Sequence, residues 1–330
     1  MLDGRPVIEV ENVARYYGSP KQPIRAVDGV SLTIRPGETL ALVGESGCGK
    51  STLSRVILRL EPPTRGRIRL DGEDITDLTG AALRNRRRLA QMVFQDPYAS
   101  LDPRMSVEEI VREPLDNYRV GSPAERRDKV VSLLRRVGLR ADHAARFPHE
   151  LSGGQRQRIG IARALALQPK IIVADEPVSA LDVSVRAQVI NLLTDIQKEF
   201  GLALLFVSHD IGVVAHLSHR TCVMYLGQVV ETGPTDRVVG APQHPYSRAL
   251  LDAIPVPHPG MRRPRSLLEG SPPSPSNPPP GCRFHPRCPF VQAQCRSEAP
   301  ALRPLDAERS VACHLAPLPG PAYSSRNTAR

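Results

Sequence analysis

The stretch "GESGCGKST" (44–52) limits what this chain can fold into more than any other. It follows the apolar run "ETLALVG" and precedes "LSRVILRL", whose spacing is helical, so a buried strand passes through a glycine loop into a helix. Gly44, Gly49, Lys50 and Ser51 meet the pattern G-x-x-x-x-G-K-[ST]. Glycines let successive backbone N–H groups line a concavity for phosphate oxygens, and the helix N-terminus adds positive potential. Lys50 is expected to reach the β- and γ-phosphates, and the Ser51 hydroxyl to ligate Mg²⁺. Ser46, Gly47 and Thr52 lie in the same loop and join the expected contacts. The bland alternative is a glycine turn that binds nothing; the strand and helix on either side weigh against it.

A second apolar run, "KIIVADE" (170–176), carries Asp175 and Glu176 to its carboxyl end, where open parallel sheets bind ligands. Asp175 can complete the Mg²⁺ shell, and Glu176 is placed to orient or deprotonate an attacking water. Alone, this carboxylate pair would read as the cap of the next helix. Together with the phosphate loop it reads as catalytic machinery.

Residues 1–250 alternate short apolar runs with helix-period runs, the α/β pattern. "ETLALVG" (38–44), "KIIVADE" and "LALLFVSH" (202–209) are continuous apolar runs, as expected of strands buried on both faces. The run 184–200 puts Val185, Val189, Leu192, Leu193, Ile196 and Phe200 on one helical face, with Gly201 as its stop. Between Asp96 and about Glu150 the sequence is mainly helical, and Val130, Leu133, Leu134 and Val137 line up. No signal peptide is visible, and no apolar run approaches the ~20 residues of a membrane span. The formal charge of +10 admits nucleic acid, an anionic membrane surface or a phosphate-rich ligand. Few aromatics interleave with the basic residues, which weakens the nucleic-acid case.

The string "LSGGQRQRIGIARAL" (151–165) resembles the signature of the ATP-binding-cassette (ABC) ATPases. Other positions match that family in order over roughly residues 5–250. Gln95 in "MVFQDP" resembles the glutamine that joins the core to the helical insertion and reaches Mg²⁺. "SALD" (179–182), with Asp182, resembles the loop that communicates across a dimer. His209 resembles the switch histidine at the γ-phosphate. Tyr17 resembles the aromatic that stacks on adenine, with Tyr16 a near competitor. The resemblance implies an α/β P-loop NTPase fold over 5–250, with a RecA-like core, an antiparallel β subdomain and a helical subdomain at about 96–165. It further implies that Ser152, Gly153, Gly154 and Gln155 complete the site of a second cassette, so that two ATP molecules are sandwiched head to tail.

"QDPYASLDPRMSVEEIVREPL" (95–115) and "QHPYSRALLDAIP" (243–255) are similar to the oligopeptide and dipeptide importer branch. This implies the ATPase subunit of a peptide importer at the cytoplasmic face of the membrane. Its implied partners are a related cassette in a heterodimer, two permease subunits and an external peptide-binding protein. Nickel or another small solute is an alternative cargo; a soluble cassette acting on nucleic acid or ribosomes is the alternative from another class, and an exporter subunit is a third.

From 243 to 330 the reading is a C-terminal extension: a proline-rich linker, "PVPHPGMRRPRS" and "GSPPSPSNPPPG", then Cys282, Cys288, Cys295 and Cys313. Zinc sites favour ligand pairs about two to four residues apart, which are lacking. Disulfides are disfavoured in a reducing compartment. Uneven spacing and Pro289 after Cys288 suit an iron–sulfur cluster. The segment also resembles the C-terminal segment of peptide-importer ATPases, some of which hold a [4Fe–4S] cluster there. Zinc, no metal and disulfides stay as alternatives, with His285 and His314 as substitute ligands. Cys48 and Cys222 read as packing residues, Cys48 also as an alkylation-sensitive thiol.

Overall fold

The computed structural model describes residues 4–253 and 270–318. In chain order the strands are β1 (Ile8–Ser19), β2 (Gln22–Ile34), β3 (Thr39–Val43), β4 (Arg65–Leu70), β5 (Glu73–Asp74), β6 (Ala90–Val93), β7 (Ile171–Asp175), β8 (Ala203–Ser208), β9 (Arg220–Tyr225), β10 (Gln228–Pro234), β11 (Arg303–Pro304) and β12 (Ser310–Val311). The helices are α1 (Lys50–Ile57), α2 (Gly80–Arg87), α3 (Val107–Asn117), α4 (Pro123–Arg136), α5 (Gly153–Leu165), α6 (Val183–Phe200), α7 (Ile211–Leu217), α8 (Thr235–Gly240), α9 (Pro245–Asp252) and α10 (Ala293–Ser297).

The main sheet runs β11-β12-β10-β9-β3-β8-β7-β6, and its β9-β3-β8-β7-β6 portion is parallel. Every residue of β3, β7 and β8 is buried, as their unbroken apolar runs require. A second, antiparallel sheet, β2-β1-β4-β5, packs its apolar face over β3 and α1. Helices α3, α4 and α5 form the helical layer. Ser106 and Ser122 begin α3 and α4 with full capping boxes to Glu109 and Glu125. Val130, Leu133, Leu134 and Val137 are all buried there, as the spacing predicts.

Helix α6 ends at Gly201, in the left-handed conformation at φ 59°. Its buried stripe is rotated from the expected one. Val189, Leu193 and Ile196 are buried with Ile190 and Gln197, whereas Phe200 is 37% exposed beneath the Arg136 guanidinium. Gln197 turns inward because its amide donates to the carbonyl of Leu202 at 3.3 Å and to that of Gly37.

The described part of the C-terminal extension is laid onto the core. Strand β12 pairs antiparallel with β10 (Glu231↔Val311), and the Ala312 N–H donates to the Val230 carbonyl at 2.8 Å. Phe284 is buried among Tyr225, Tyr246 and His244, with ring centroids 5.3–5.7 Å apart. Arg283, itself almost buried, donates to the Leu226 carbonyl at 2.5 Å and pairs with Asp28. Of the proline-rich stretches, "GSPPSPSNPPPG" borders the core, where the Pro275 carbonyl accepts from the Arg25 N–H at 3.0 Å. "PVPHPGMRRPRS" and the final "AYSSRNTAR" lie outside the described residues.

These contacts correct the iron–sulfur expectation. Cys282, Cys288, Cys295 and Cys313 border one narrow space of about 10 Å³, no larger than a single water needs. Among the described residues no group of three or more Cys, His, Asp or Glu side chains could hold a metal ion. Burial raises the thiols of Cys282, Cys288 (to about 11) and Cys313 above the usual cysteine range. Order in this segment comes from sheet pairing, the aromatic cluster and the arginine ties. All six cysteines are free thiols. Burial also raises Cys48, which is 6% exposed, although the Lys50 Nζ 4.0 Å from its sulfur pulls the other way. His285 and His314 bond the backbone carbonyls of Cys282 and Glu298.

His244 joins the extension to the core, and burial lowers its imidazole to about 3. Its Nδ1 accepts the Tyr246 N–H at 3.0 Å, which requires a neutral acceptor nitrogen. The unfolded chain protonates this ring near pH ~6.5 and the folded chain only far below, so stability is lost as pH falls below that value. Glu231 beside it is raised by burial and tilts the opposite way in any variant that keeps it. Between pH 8 and pH 5 the native chain should therefore lose about 2 kcal/mol more than a His244→Gln chain. Urea denaturation at the two pH values measures this; equal losses would contradict the assignment.

Candidate active site

A cavity of about 630 Å³ opens at the carboxyl ends of the parallel strands. Its floor is the loop between β3 and α1 together with the first turn of α1, with Ser46, Gly47, Gly49, Lys50, Ser51 and Thr52 all lining it. Sterics demand glycine at two points of that loop. A Cβ on Gly44 would stand 2.2 Å from the Met224 carbonyl oxygen, and one on Gly49 2.0 Å from that of Ala26. Both glycines have positive φ, 156° and 107°. The loop is thus pressed between the end of β9 and strand β2. Lys50 is 4% exposed, and its Nζ donates to the carbonyls of Gly44 (2.8 Å) and Glu45 (3.0 Å).

The rim is acidic. Strand β7 delivers Asp175 beneath the loop, where its Oδ1 accepts from the Ser51 hydroxyl at 3.0 Å. Desolvation is the main reason the Asp175 carboxyl is raised, and its neighbour Glu176 adds to it. Glu176 has a left-handed backbone (φ 45°), a strained state for a side chain of this kind. Its N–H is tied to the Val207 carbonyl at 3.0 Å, which holds that turn. Its Oε2 accepts from Gln95 Nε2 at 3.3 Å and lies 3.1 Å from His209 Nδ1. Three expected residues from three separate strand ends therefore meet at one carboxylate.

Tyr17 lines the opposite end of the cavity, and its ring carries the Arg15 guanidinium at 4.7 Å. Tyr16 does not line it; its hydroxyl donates to Asp28 instead. The signature residues lie elsewhere. Ser152 caps α5, its hydroxyl accepting from the Gln155 N–H while the Gln155 amide oxygen accepts from the Ser152 N–H at 2.9 Å. Gly153 and Gly154 open that helix, and a Cβ on Gly154 would strike Val185 at 2.3 Å. Asp182 is the N-cap of α6. None of these five residues lines the cavity.

Sequence reasoning missed several walls of the cavity: Ile24, Arg25, Leu226, Gly227 and Pro275. They carry no motif, because backbone and apolar surface at that end only shape the space. Pro275 lies in a stretch whose composition reads as linker.

The model of the ABC transporter family matches residues 27–179, and that of the oligopeptide/dipeptide transporter C-terminal region matches 230–295. A probable peptide ABC transporter ATP-binding protein of Sinorhizobium fredii is 54% identical, covering 94% of this chain and 90% of its own. An oligopeptide transport ATP-binding protein of Bacillus subtilis is 51% identical (94% and 97%), and a di/tripeptide transport ATP-binding protein of Pseudomonas aeruginosa 48% (95% and 97%). Among solved structures, the dimeric post-hydrolysis state of an ATP-binding cassette bound to ADP and Pi is similar. It superposes at a TM-score of 0.64 with 35% identity, covering 69% of this chain and 98% of that one.

The loop geometry sets a contrast between two glycines. Gly49→Ala should destabilise the chain by about 2–4 kcal/mol, since strain and a backbone clash combine. Gly47→Ala, where an added Cβ meets nothing within 4 Å, should cost only about 1 kcal/mol for its positive φ. Chemical denaturation of the two variants compares them; equal costs would contradict the steric account.

Proposed function

The chain belongs to the ABC transporter ATP-binding proteins, in the branch that carries the oligopeptide/dipeptide transporter C-terminal region, and from that premise we propose how its cavity binds and splits ATP. The chain is the ATP-binding and ATP-hydrolysing subunit of a membrane importer of di- and oligopeptides. The observation that supports the residue assignment is Glu176, held between Gln95 and His209 at the rim of a cavity floored by the phosphate loop.

In this reading Tyr17 stacks on adenine, and Ser46, Gly47, Gly49 and Thr52 turn N–H and hydroxyl groups toward phosphate oxygens. Gly44 gives the loop its turn. Lys50 leaves its two carbonyls for the β- and γ-phosphates. Ser51 and Asp175, whose oxygens lie 3.0 Å apart, and Gln95 on the cavity wall offer hard oxygen donors, a set that suits Mg²⁺. Bound there, Mg²⁺ would neutralise charge on the phosphate oxygens. Glu176 takes the proton of the attacking water, the water oxygen bonds to the γ-phosphorus, and the bond from that phosphorus to the bridging oxygen breaks, leaving ADP and phosphate. Gln95 and His209 hold the Glu176 carboxylate in line, and His209 faces the γ-phosphate.

Ser152, Gly153, Gly154 and Gln155 do not line their own cavity, so they are assigned to the γ-phosphate of a partner cassette, with Asp182 crossing the same interface. Their helix start, where Gly153 and Gly154 follow the capping box of Ser152 and Gln155, adds the positive end of the helix dipole and suits an anion. The partner is a paralogous cassette, and the pair sits on two permease subunits at the cytoplasmic face, fed by an extracytoplasmic peptide-binding protein. Among the described residues no helix is long and apolar enough to cross a membrane, so the translocation path is assigned to the permeases. Nucleic acid has no role in this scheme.

Glu176→Gln should cut turnover of the assembled complex by about 10²-fold or more and trap an ATP-loaded cassette dimer, visible by size-exclusion chromatography. Normal turnover by this variant would remove Glu176 from the mechanism. Cells carrying the intact importer should accumulate labelled dipeptides and not Ni²⁺; the reverse would replace the cargo.

A further inference from the structure

The phosphate loop is tied to the C-terminal extension through Glu45. The Arg287 guanidinium forks onto the Glu45 carboxylate, Nη1 to Oε2 at 2.7 Å and Nη2 to Oε1 at 3.0 Å, across 242 residues of sequence. The Arg287 side chain is 5% exposed and that of Glu45 26%, so solvent screens the pair little. The Glu45 N–H is also taken, donating to the Tyr246 hydroxyl at 2.8 Å. Tyr246 is itself fully buried against Tyr225 and Phe284. The Glu45 carbonyl accepts from Lys50 Nζ and from the Cys48 N–H (3.3 Å). Every polar group of this one residue is thus engaged, two of them by residues beyond the ABC transporter match at 27–179. At the other end of the same cavity the extension supplies Pro275, whose carbonyl fixes the Arg25 N–H.

We propose that Arg287 is a positioning residue for ATP: it holds the phosphate loop in its binding conformation through Glu45, so that the extension is part of the nucleotide site. This rests on the reading of the cavity as the ATP site. The physical argument is pre-organisation. A loop whose second residue is clamped at both backbone and side chain loses less freedom when phosphate binds. Arg287 sits behind the loop, so it acts on binding and leaves proton transfer at Glu176 alone.

The test uses the full chain in its assembled importer, with ATP as the probe. Arg287→Ala should raise the apparent KM for ATP about tenfold while kcat at saturating ATP stays within about twofold. Arg287→Lys, which keeps charge but not the fork, should fall between. The exchange Glu45→Arg with Arg287→Glu should recover most of the loss. A purely structural role would lower the amount of active protein and leave KM unmoved. A KM within about twofold of native in a folded Arg287→Ala protein, or an exchange no better than either single change, would overturn the proposal. Should Arg287→Ala fail to fold, Glu45→Gln decides by the same KM reading. Lys50→Ala separates the two levels. If it abolishes ATP binding and Arg287→Ala changes nothing, only this inference falls; if Lys50→Ala binds ATP normally, the reading of the cavity falls with it.

Discussion

Parallel pairing of three buried strands is the constraint on which the rest of the molecule depends. In register, Val43 of β3 stands beside Ser208 of β8, and Asp175 of β7 beside Val207. That alignment brings three chain segments to one edge: the phosphate loop after β3, the carboxylates at the end of β7, and His209 after β8. A slip of one residue would turn each buried side chain to the other face and pull the edge apart. The packing that prevents a slip is the unbroken burial of all three strands between the helices and the antiparallel sheet. Chemistry here is a consequence of register.

Much of this was legible in the amino acids because it is local. A glycine loop between an apolar run and a helix, a strand ending in Asp-Glu, and the α5 start at Ser152 are each written within a dozen residues. Strands β3, β7 and β8 and the buried face of α4 follow from apolar patterning alone. The face of α6 was read with a small rotation, since nothing in the sequence says that Gln197 will spend its amide on the Gly37 and Leu202 carbonyls and so turn inward.

What stayed illegible is what pairs across long separations. Arg287 and Glu45 have no shared motif, and the proline-rich stretch containing Pro275 has the composition of a spacer although it borders the cavity. The cysteines show the opposite failure, in which a conspicuous pattern suggested more than the fold supports. Four thiols do approach one another, but apolar and aromatic neighbours occupy the room between them. Spacing reports which residues can meet; it does not report what surrounds them.

Strand β12 has one more effect. Without it, β10 would present its outer row of N–H and C=O groups to any other chain, the usual starting point for sheet-to-sheet sticking. The short β12–β11 ribbon occupies that row and ends it on a strand containing Pro304, which has no N–H to offer. This short ribbon is in that sense a hem, closing an open margin of the sheet against unwanted growth.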